Sequence, residues 1–333
     1  MPPWLEPCRE GLERAFAGSR PPHALLLYGA EGTGVELLAT WVAARVLCQA
    51  HAGRPCGACK SCGAVERGVH PDLSLVTPLE ESKQIRIDEV RELTADLALK
   101  SHQGGYKVAI LNPAEALNAN AANALLKTLE EPASRTLLIL VTHRRARLPA
   151  TIVSRCHRLV VATPSRDVAQ AWLAGVLPGR DVEAALKFAR GAPLRALDLA
   201  QRDFEHIDHE MQDAVARLGR AALDVPATAE QWTRATKGGF ADRATWLETW
   251  ITDDIARAMA AANSGRNGAP VGLPAARETL KIRGLYRVLD RLRQLRIWSA
   301  SSLNMTMAVE GLLLDLQHAL TAEAGQRTGV GRR

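Results

Sequence analysis

Long apolar runs are missing from this chain. No stretch approaches the roughly 20 consecutive apolar residues that a membrane-spanning helix requires, so a transmembrane segment is not expected. The opening residues Met1-Pro2-Pro3-Trp4-Leu5-Glu6 contain no basic segment followed by an apolar one. A secretory signal is therefore not expected, and a cytoplasmic chain is. Cysteine is sparse, at 6 of 333 residues. In a reducing cytosol those six are expected to be thiols or metal ligands rather than disulfides. Aromatic residues make up only 4%. Charge of one sign is not dominant either: 42 Lys and Arg stand against 36 Asp and Glu, a net charge of +6. That excess allows an acidic partner such as nucleic acid, but the bases are dispersed, and any single one reads first as solvated surface. No internal repeat is present. What is there is a 47% apolar composition over a length that suits roughly two domains with a sizeable core.

The most informative residues are Gly29-Ala30-Glu31-Gly32-Thr33-Gly34-Val35-Glu36. A phosphate-binding P-loop reads G-x-x-x-x-G-K-[ST]; its backbone N–H groups cradle phosphates, its Lys reaches the β/γ oxygens and its hydroxyl binds Mg²⁺. Gly29 and Gly34 keep the spacing, but Val35 replaces the Lys and Glu36 replaces the Ser/Thr. An apolar side chain cannot neutralise phosphate, and a carboxylate repels it. A second loss follows at Asn112-Pro113-Ala114-Glu115, where P-loop ATPases carry an acidic pair for Mg²⁺ and the attacking water. Asn112 is neutral, Pro113 has no carboxylate, and Glu115 comes three positions late and reads as an ordinary helix-start acid.

The surrounding pattern agrees with a P-loop frame. Residues 24–28 form a short apolar run ending at glycine, followed by the loop and a helical segment over 37–47. Further buried strands are expected at 107–111, 136–141 and 158–161. A helix is expected over 118–131, capped by Asn118 or Asn120 and stopped by Pro132. Apolar strands alternating with helices predict a parallel sheet covered on both faces. After Pro164 the strands stop. Helices are expected at 167–177, 182–190, 244–261 and 278–300, with a loop over 263–274 and a frayed Gly/Arg tail over 325–333. The organisation predicted is an α/β domain over 1–164, a small helical domain over 165–204 and an all-helical domain over 205–333. Trp246 and Trp250, four residues apart on one helix, read as core or interface anchors.

Cys48, Cys56, Cys59 and Cys62 carry the second strong signal, with spacing C-x7-C-x2-C-x2-C. Overlapping C-x2-C units put three thiolates on one tight turn, and a fourth at the end of the preceding helix can close a tetrahedron. Four protein ligands leave no open position, so the metal expected is a structural zinc. Free thiols, a disulfide or an iron–sulfur cluster stay open, as does His51 as a substitute ligand. Cys8 and Cys156 have no such neighbours and are expected to be buried thiols.

With Asn123-Ala-Leu-Leu-Lys-Thr-Leu-Glu-Glu-Pro132 and Ser154-Arg155-Cys156 in view, the chain resembles the bacterial clamp-loader family. These are AAA+ proteins of the DNA polymerase III holoenzyme. The cysteines fall just after the P-loop helix, as in that family. The broken loop and absent acidic pair resemble its non-hydrolysing, stator-like branch rather than the gamma/tau motors. The resemblance implies an AAA+ domain, a small lid and a helical collar within a hetero-oligomer containing gamma/tau and delta subunits, acting on a sliding clamp and primed DNA. It implies that Arg155 is an arginine finger reaching ATP held by a neighbouring subunit, with Ser154 orienting and Cys156 packing. Thr142 matches a motor's sensor-1 position. Leu194 takes the sensor-2 place and Arg195 falls one residue late, so Arg195 is not expected to sense nucleotide. Arg144, Arg145 and Arg147 are candidates for DNA backbone contact by charge density alone.

Two other classes compete. An atypical active ATPase would need a lysine from elsewhere, such as Lys83, Lys107 or Lys127. A zinc-dependent nucleic-acid-binding regulator is opposed by the embedding of the cysteines in an α/β pattern with few interleaved bases or aromatics.

Overall fold

A computed structural model describes residues 1–50, 53–78, 84–180, 182–202, 204–234, 239–264, 276–298 and 304–321, the side chains of 261–264, 276–280 and 296–298 excepted. His51, Lys83, most of the expected 263–274 loop and the 325–333 tail lie outside the described residues. The chain divides into two compact units, Met1–Leu197 and Asp198–Arg333.

The first unit runs α1 (Glu6–Ala17), β1 (Ala24–Gly29), α2 (Val35–Leu47), α3 (Lys60–Glu66), β2 (Leu73–Val76), α4 (Ile87–Ala98), β3 (Lys107–Leu111), α5 (Ala119–Glu130), β4 (Thr136–Thr142), α6 (Ala150–Val153), β5 (His157–Val161), α7 (Arg166–Val176), α8 (Glu183–Phe188) and α9 (Pro193–Gln201), the unit boundary falling inside α9. The five strands pair in parallel in the order β2-β3-β4-β1-β5. Alternate residues of the central strands serve two cores, because side chains on a strand point to opposite faces. Leu25, Leu27, Val108, Ile110, Leu137, Ile139 and Val141 face α1 and α2. Leu26, Ala109, Leu111, Leu138 and Leu140 face α4 and α5. Burial on both faces is why β3 and β4 read as continuous apolar runs.

The sheet has one strand more than the sequence pattern predicts. β2, Leu-Ser-Leu-Val, is a four-residue edge strand whose Leu75 is exposed, and neither its length nor its polarity announces a strand. The opposite edge, β5, departs from a buried strand: His157, Arg158 and Val160 are exposed, since one flank has no neighbouring strand. α5 starts as expected, with Asn118 Oδ1 accepting from the Ala121 N–H at 2.9 Å, a side-chain cap for an otherwise orphaned donor.

The second unit contains α10 (Phe204–Gly219), α11 (Val225–Arg234), α12 (Phe240–Ser264), α13 (Ala276–Trp298) and α14 (Met305–Thr321). α14 packs against α10, α11 and α13, burying Val309, Leu312, Leu313 and Leu316 completely. Trp246 is buried, stacks on Trp250 at 6.3 Å and donates from its indole to Asp208 Oδ1. Buried Arg243 pairs with Glu210, which also accepts from the Trp232 indole at 2.9 Å. The charge is thus compensated where burial alone would be costly.

Candidate functional site

β1 hands over to α2 through the phosphate-loop segment at the carboxyl edge of the sheet. Gly32 and Gly34 have φ of +79° and +97°, conformations that favour glycine. Thr33 ties the turn down, its N–H and hydroxyl both bonded to the Ala30 carbonyl at 3.2 and 2.7 Å. Val35 is fully buried in the core. Glu36 turns to His143, just past the end of β4, with Oε1 2.7 Å from Nε2. His143 Nδ1 lies 3.1 Å from the Gly29 carbonyl. Both ring nitrogens face acceptors, so both donate and the ring is an imidazolium. The hydrogen bond to Glu36 is the main cause raising the His143 pKa to about 9, against the lowering by burial; the Glu36 charge, the Gly29 carbonyl and Glu115 add to it. Burial pushes the Glu36 carboxyl upward, but the bond and charge of His143 and its own backbone N–H outweigh this and hold it below its usual value.

Glu115 does sit in the first turn of a short 3-10 helix, yet its carboxylate also crosses to β4 and accepts from the His143 N–H at 3.2 Å. Two carboxylates and one imidazolium therefore stand at the mouth of the loop. That set offers no spare positive charge to a polyphosphate.

The loop is also covered by its own chain. The Leu194 N–H, in the first turn of α9, donates to the Gly32 carbonyl at 3.0 Å. A Cβ on Gly32 would lie 2.5 Å from Arg195 Cβ and 2.7 Å from its backbone nitrogen. Leu5 and Leu194 close over Gly34, and the Trp4 indole donates to the Thr33 carbonyl at 2.8 Å. Arg195 thus meets the loop through its backbone and Cβ. Thr142 is fully buried, and its hydroxyl accepts from the Arg144 N–H at 3.1 Å, a local turn contact. Of the lysines considered as substitutes, Lys107 is buried against Asp96 at 2.5 Å, and Lys127 lies in α5. Arg145 stacks over the Tyr28 ring at 5.3 Å.

Arg155 occupies the opposite edge of the sheet. β5 runs parallel to β1 with Leu25 level with His157 and Gly29 level with Val161. Arg155 precedes β5, whose first residue His157 is four residues, about 13 Å at the usual rise per residue, below the level of Gly29. No single side chain spans that distance to the chain's own loop. Its Nη1 donates to the Thr151 carbonyl at 2.9 Å and reaches Ser154 Oγ at 3.4 Å, and its Nη2 meets Glu130 Oε1 at 2.5 Å. Ser154 thus helps to orient it. Cys156 packs in the core, where burial pushes its thiol up to about 11. Cys8 is only partly buried, against the Val160 carbonyl.

The Sγ atoms of Cys48, Cys56, Cys59 and Cys62 all lie within 4.8 Å of one another. Cys48–Cys59 and Cys56–Cys62 are 3.9 and 4.0 Å apart. A tetrahedral ion with metal–sulfur bonds of about 2.3 Å needs sulfur–sulfur edges of about 3.8 Å. The four cysteines are free thiols and fit a single metal ion. Cys59 caps α3, accepting from the Cys62 N–H at 3.4 Å. That bond, followed by one from Gln49, lowers its pKa to about 6, whereas burial pushes the Cys62 thiol up to about 12.

Beside this cluster lies a network, buried at Ser61, His70 and Asp72, that sequence reasoning missed. The Asp72 N–H donates to His70 Nδ1 at 3.0 Å, which puts the ring proton on Nε2. Nε2 donates to Ser61 Oγ at 2.8 Å, and Ser61 donates to Gln103 Oε1 at 3.1 Å. Ser, His and Asp are therefore close without forming a nucleophilic site, because the histidine lone pair faces away from the hydroxyl. The Asp72 carboxylate instead accepts from the His102 N–H, the Gln103 N–H and the Ser101 hydroxyl. The network fastens α3 to β2 and to the loop before β3. Its members are scattered over 43 positions, and no local spacing marks them.

An open parallel sheet with a phosphate-loop segment at the carboxyl end of β1, followed by a helical region, defines an AAA+-type architecture. A family model described as "DNA polymerase III, delta subunit" matches residues 6–165. The DNA polymerase III delta′ subunit of Pseudomonas aeruginosa is 38% identical over 233 residues, covering 68% of this chain and 71% of its own. That of Escherichia coli is 32% identical over 327 residues, 96% of each chain. The DNA polymerase III tau subunit of Bacillus subtilis is 34% identical over 148 residues, 44% of this chain and 26% of its own. The chain belongs to the family of DNA polymerase III delta′ subunits, within the clamp-loader proteins of DNA replication. No described helix is long and apolar enough to cross a membrane.

Proposed function

We propose that this chain is a non-hydrolysing, stator-like accessory subunit of a bacterial replicative clamp loader. It supports ATP-dependent loading of the sliding clamp on primed DNA beside gamma/tau and delta subunits, and it lends Arg155 to ATP bound by a neighbouring subunit. The observation that carries the reading is the filled phosphate loop. Glu36 and His143 neutralise each other where a motor needs a lysine and a metal-binding hydroxyl, and α9 bonds directly to Gly32. A loop so occupied lacks the lysine and the hydroxyl with which a motor neutralises phosphate and holds Mg²⁺.

The trans role is supported by the position of Arg155 at the far edge of the sheet and by its 35% side-chain exposure. A planar guanidinium can contact phosphate oxygens through two N–H groups and stabilise charge in the transition state. The division into 1–164, 165–204 and 205–333 belongs to the same reading, with the helices of the last segment forming this chain's share of an oligomeric collar. The four cysteines hold a structural zinc. Purified protein is expected to contain about one zinc per chain, and chelation is expected to unfold the segment around α3 without first unfolding α10–α14. Metal analysis joined to hydrogen exchange checks this.

The decisive experiment is DNA-stimulated ATP hydrolysis by a reconstituted complex containing wild-type protein or Arg155→Ala, with this chain alone as control. The chain alone is expected to be silent. Turnover at the neighbouring site is expected to fall by about 10³-fold or more with assembly intact. ATP turnover by the isolated chain, or an Arg155→Ala complex as active as wild type, would overturn the proposal.

A further inference from the structure

The contacts of Arg155 point to a second residue behind the same function. Glu130 is the last residue of α5, and its Oε1 lies 2.5 Å from Arg155 Nη2. On the other side of the guanidinium, Nη1 donates to the Thr151 carbonyl and reaches Ser154 Oγ. The guanidinium is therefore gripped from two elements, the carboxyl end of α5 and the α6 turn. An arginine carries about 2 kcal/mol of rotamer entropy, and a finger left free would have to lose it on engaging phosphate. A finger already held by its terminal nitrogens has lost much of it beforehand, and Nη2 keeps a second N–H for a ligand.

We infer that Glu130 is a positioning residue for Arg155, holding the guanidinium fixed at the amino edge of the sheet so that it meets the partner's ATP already oriented. This rests on the trans-finger reading above. The pair is half exposed, with side-chain exposures of 35% and 50%. Its effect is accordingly expected to be modest, and Glu130 is not itself a catalytic residue. Its carboxylate acts only through the arginine, so its contribution must vanish when the arginine is gone.

The test is a double-mutant cycle in the reconstituted complex, with kcat and KM for ATP measured for wild type, Glu130→Ala, Glu130→Gln, Arg155→Ala and the Glu130→Ala/Arg155→Ala pair. Glu130→Ala is expected to lower kcat by about two- to fivefold at unchanged KM, the size suited to an exposed ion pair. Glu130→Gln keeps an acceptor for Nη2 and is expected to recover part of the loss. In the Arg155→Ala background, Glu130→Ala is expected to change nothing. If Arg155→Ala lowers turnover but Glu130→Ala equals wild type, adds independently or raises turnover, the positioning role falls and the finger stands. If Arg155→Ala is without effect, both fall. Assembly of every variant is checked first, and the conservative Gln variant separates lost positioning from lost folding.

Discussion

The two edges of the five-stranded sheet have been treated differently. At the carboxyl edge the side chains and carbonyls of the phosphate loop are bonded within the chain. Glu36 and His143 pair, the Gly29, Gly32 and Thr33 carbonyls are bonded, and two leucines lie over Gly34. At the amino edge Arg155 is held by its terminal nitrogens yet stays substantially exposed. The same scaffold thus withdraws polar chemistry at one end and presents it at the other. A P-loop that loses its lysine leaves backbone dipoles and a cavity-prone loop behind. Internal partners for three loop carbonyls, and the leucines over Gly34, help to make the loss structurally stable, since buried polar groups left unbonded are costly. Under the proposed function, the α/β unit contributes to ATP chemistry at a neighbouring subunit rather than in its own loop.

The contrast is tested most severely at the amino edge, where the loss of about 10³-fold expected for Arg155→Ala corresponds to about 4 kcal/mol of transition-state stabilisation. At the carboxyl edge, Gly32→Ala should break the seam with α9. It combines a φ of +79° with a contact of 2.5 Å to Arg195, and a loss of about 3 kcal/mol in stability is expected. Gly104→Ala is the control: it has a similar φ of +73° and nothing within 4 Å, so about 1–2 kcal/mol is expected from the backbone alone. Equal losses in denaturant unfolding would mean that α9 does not seal the loop.

The Glu36–His143 pair predicts a pH signature. The His143 pKa is raised from 6.5 to about 9, so its stabilisation is full below pH 6.5 and is lost as pH rises through about 9. Glu36 is lowered from 4.5, so its share is present above pH 4.5 and is lost as pH falls through its folded value. The pair is therefore strongest between pH 4.5 and 6.5. His143→Gln is expected to cost about 1–2 kcal/mol in that window, allowing for solvent screening at the half-exposed Glu36, and nothing measurable well above pH 9. A constant difference between variant and wild type across this range would remove the imidazolium from the account. The smallest effect in the comparison is the two- to fivefold change expected for Glu130→Ala, which refines the amino edge without touching the carboxyl one.

How much was legible varies with how local the cause is. β1, β3 and β4 were readable because burial on both faces forces apolar runs, whereas β2 was not, because an exposed four-residue edge strand carries no such demand. The cysteine set was readable because its members lie within 15 positions, and the lost lysine because Val35 stands in a fixed frame. Glu115 was read as a local helix-start acid, and its second attachment to His143 became visible only with β3 and β4 side by side. Ser61, His70 and Gln103 carry no mark in the sequence, since their link is made by the docking of α3 against a distant loop.

By itself, then, the sequence determined that the phosphate loop had lost its charge chemistry, that four thiols stood ready for one ion, and that strands alternated with helices before an all-helical region. Chain connectivity alone holds such features in register, so spacing is enough to read them. Tertiary structure alone decided what replaced the lost lysine and where Arg155 stands. His143 is 107 residues from Glu36. They meet because the sheet order sets β4 beside β1, and the parallel pairing of β5 with β1 puts Arg155 at the opposite edge from the loop. Those neighbours are chosen by the burial of two apolar faces of one sheet, a global condition that no local run of residues can express.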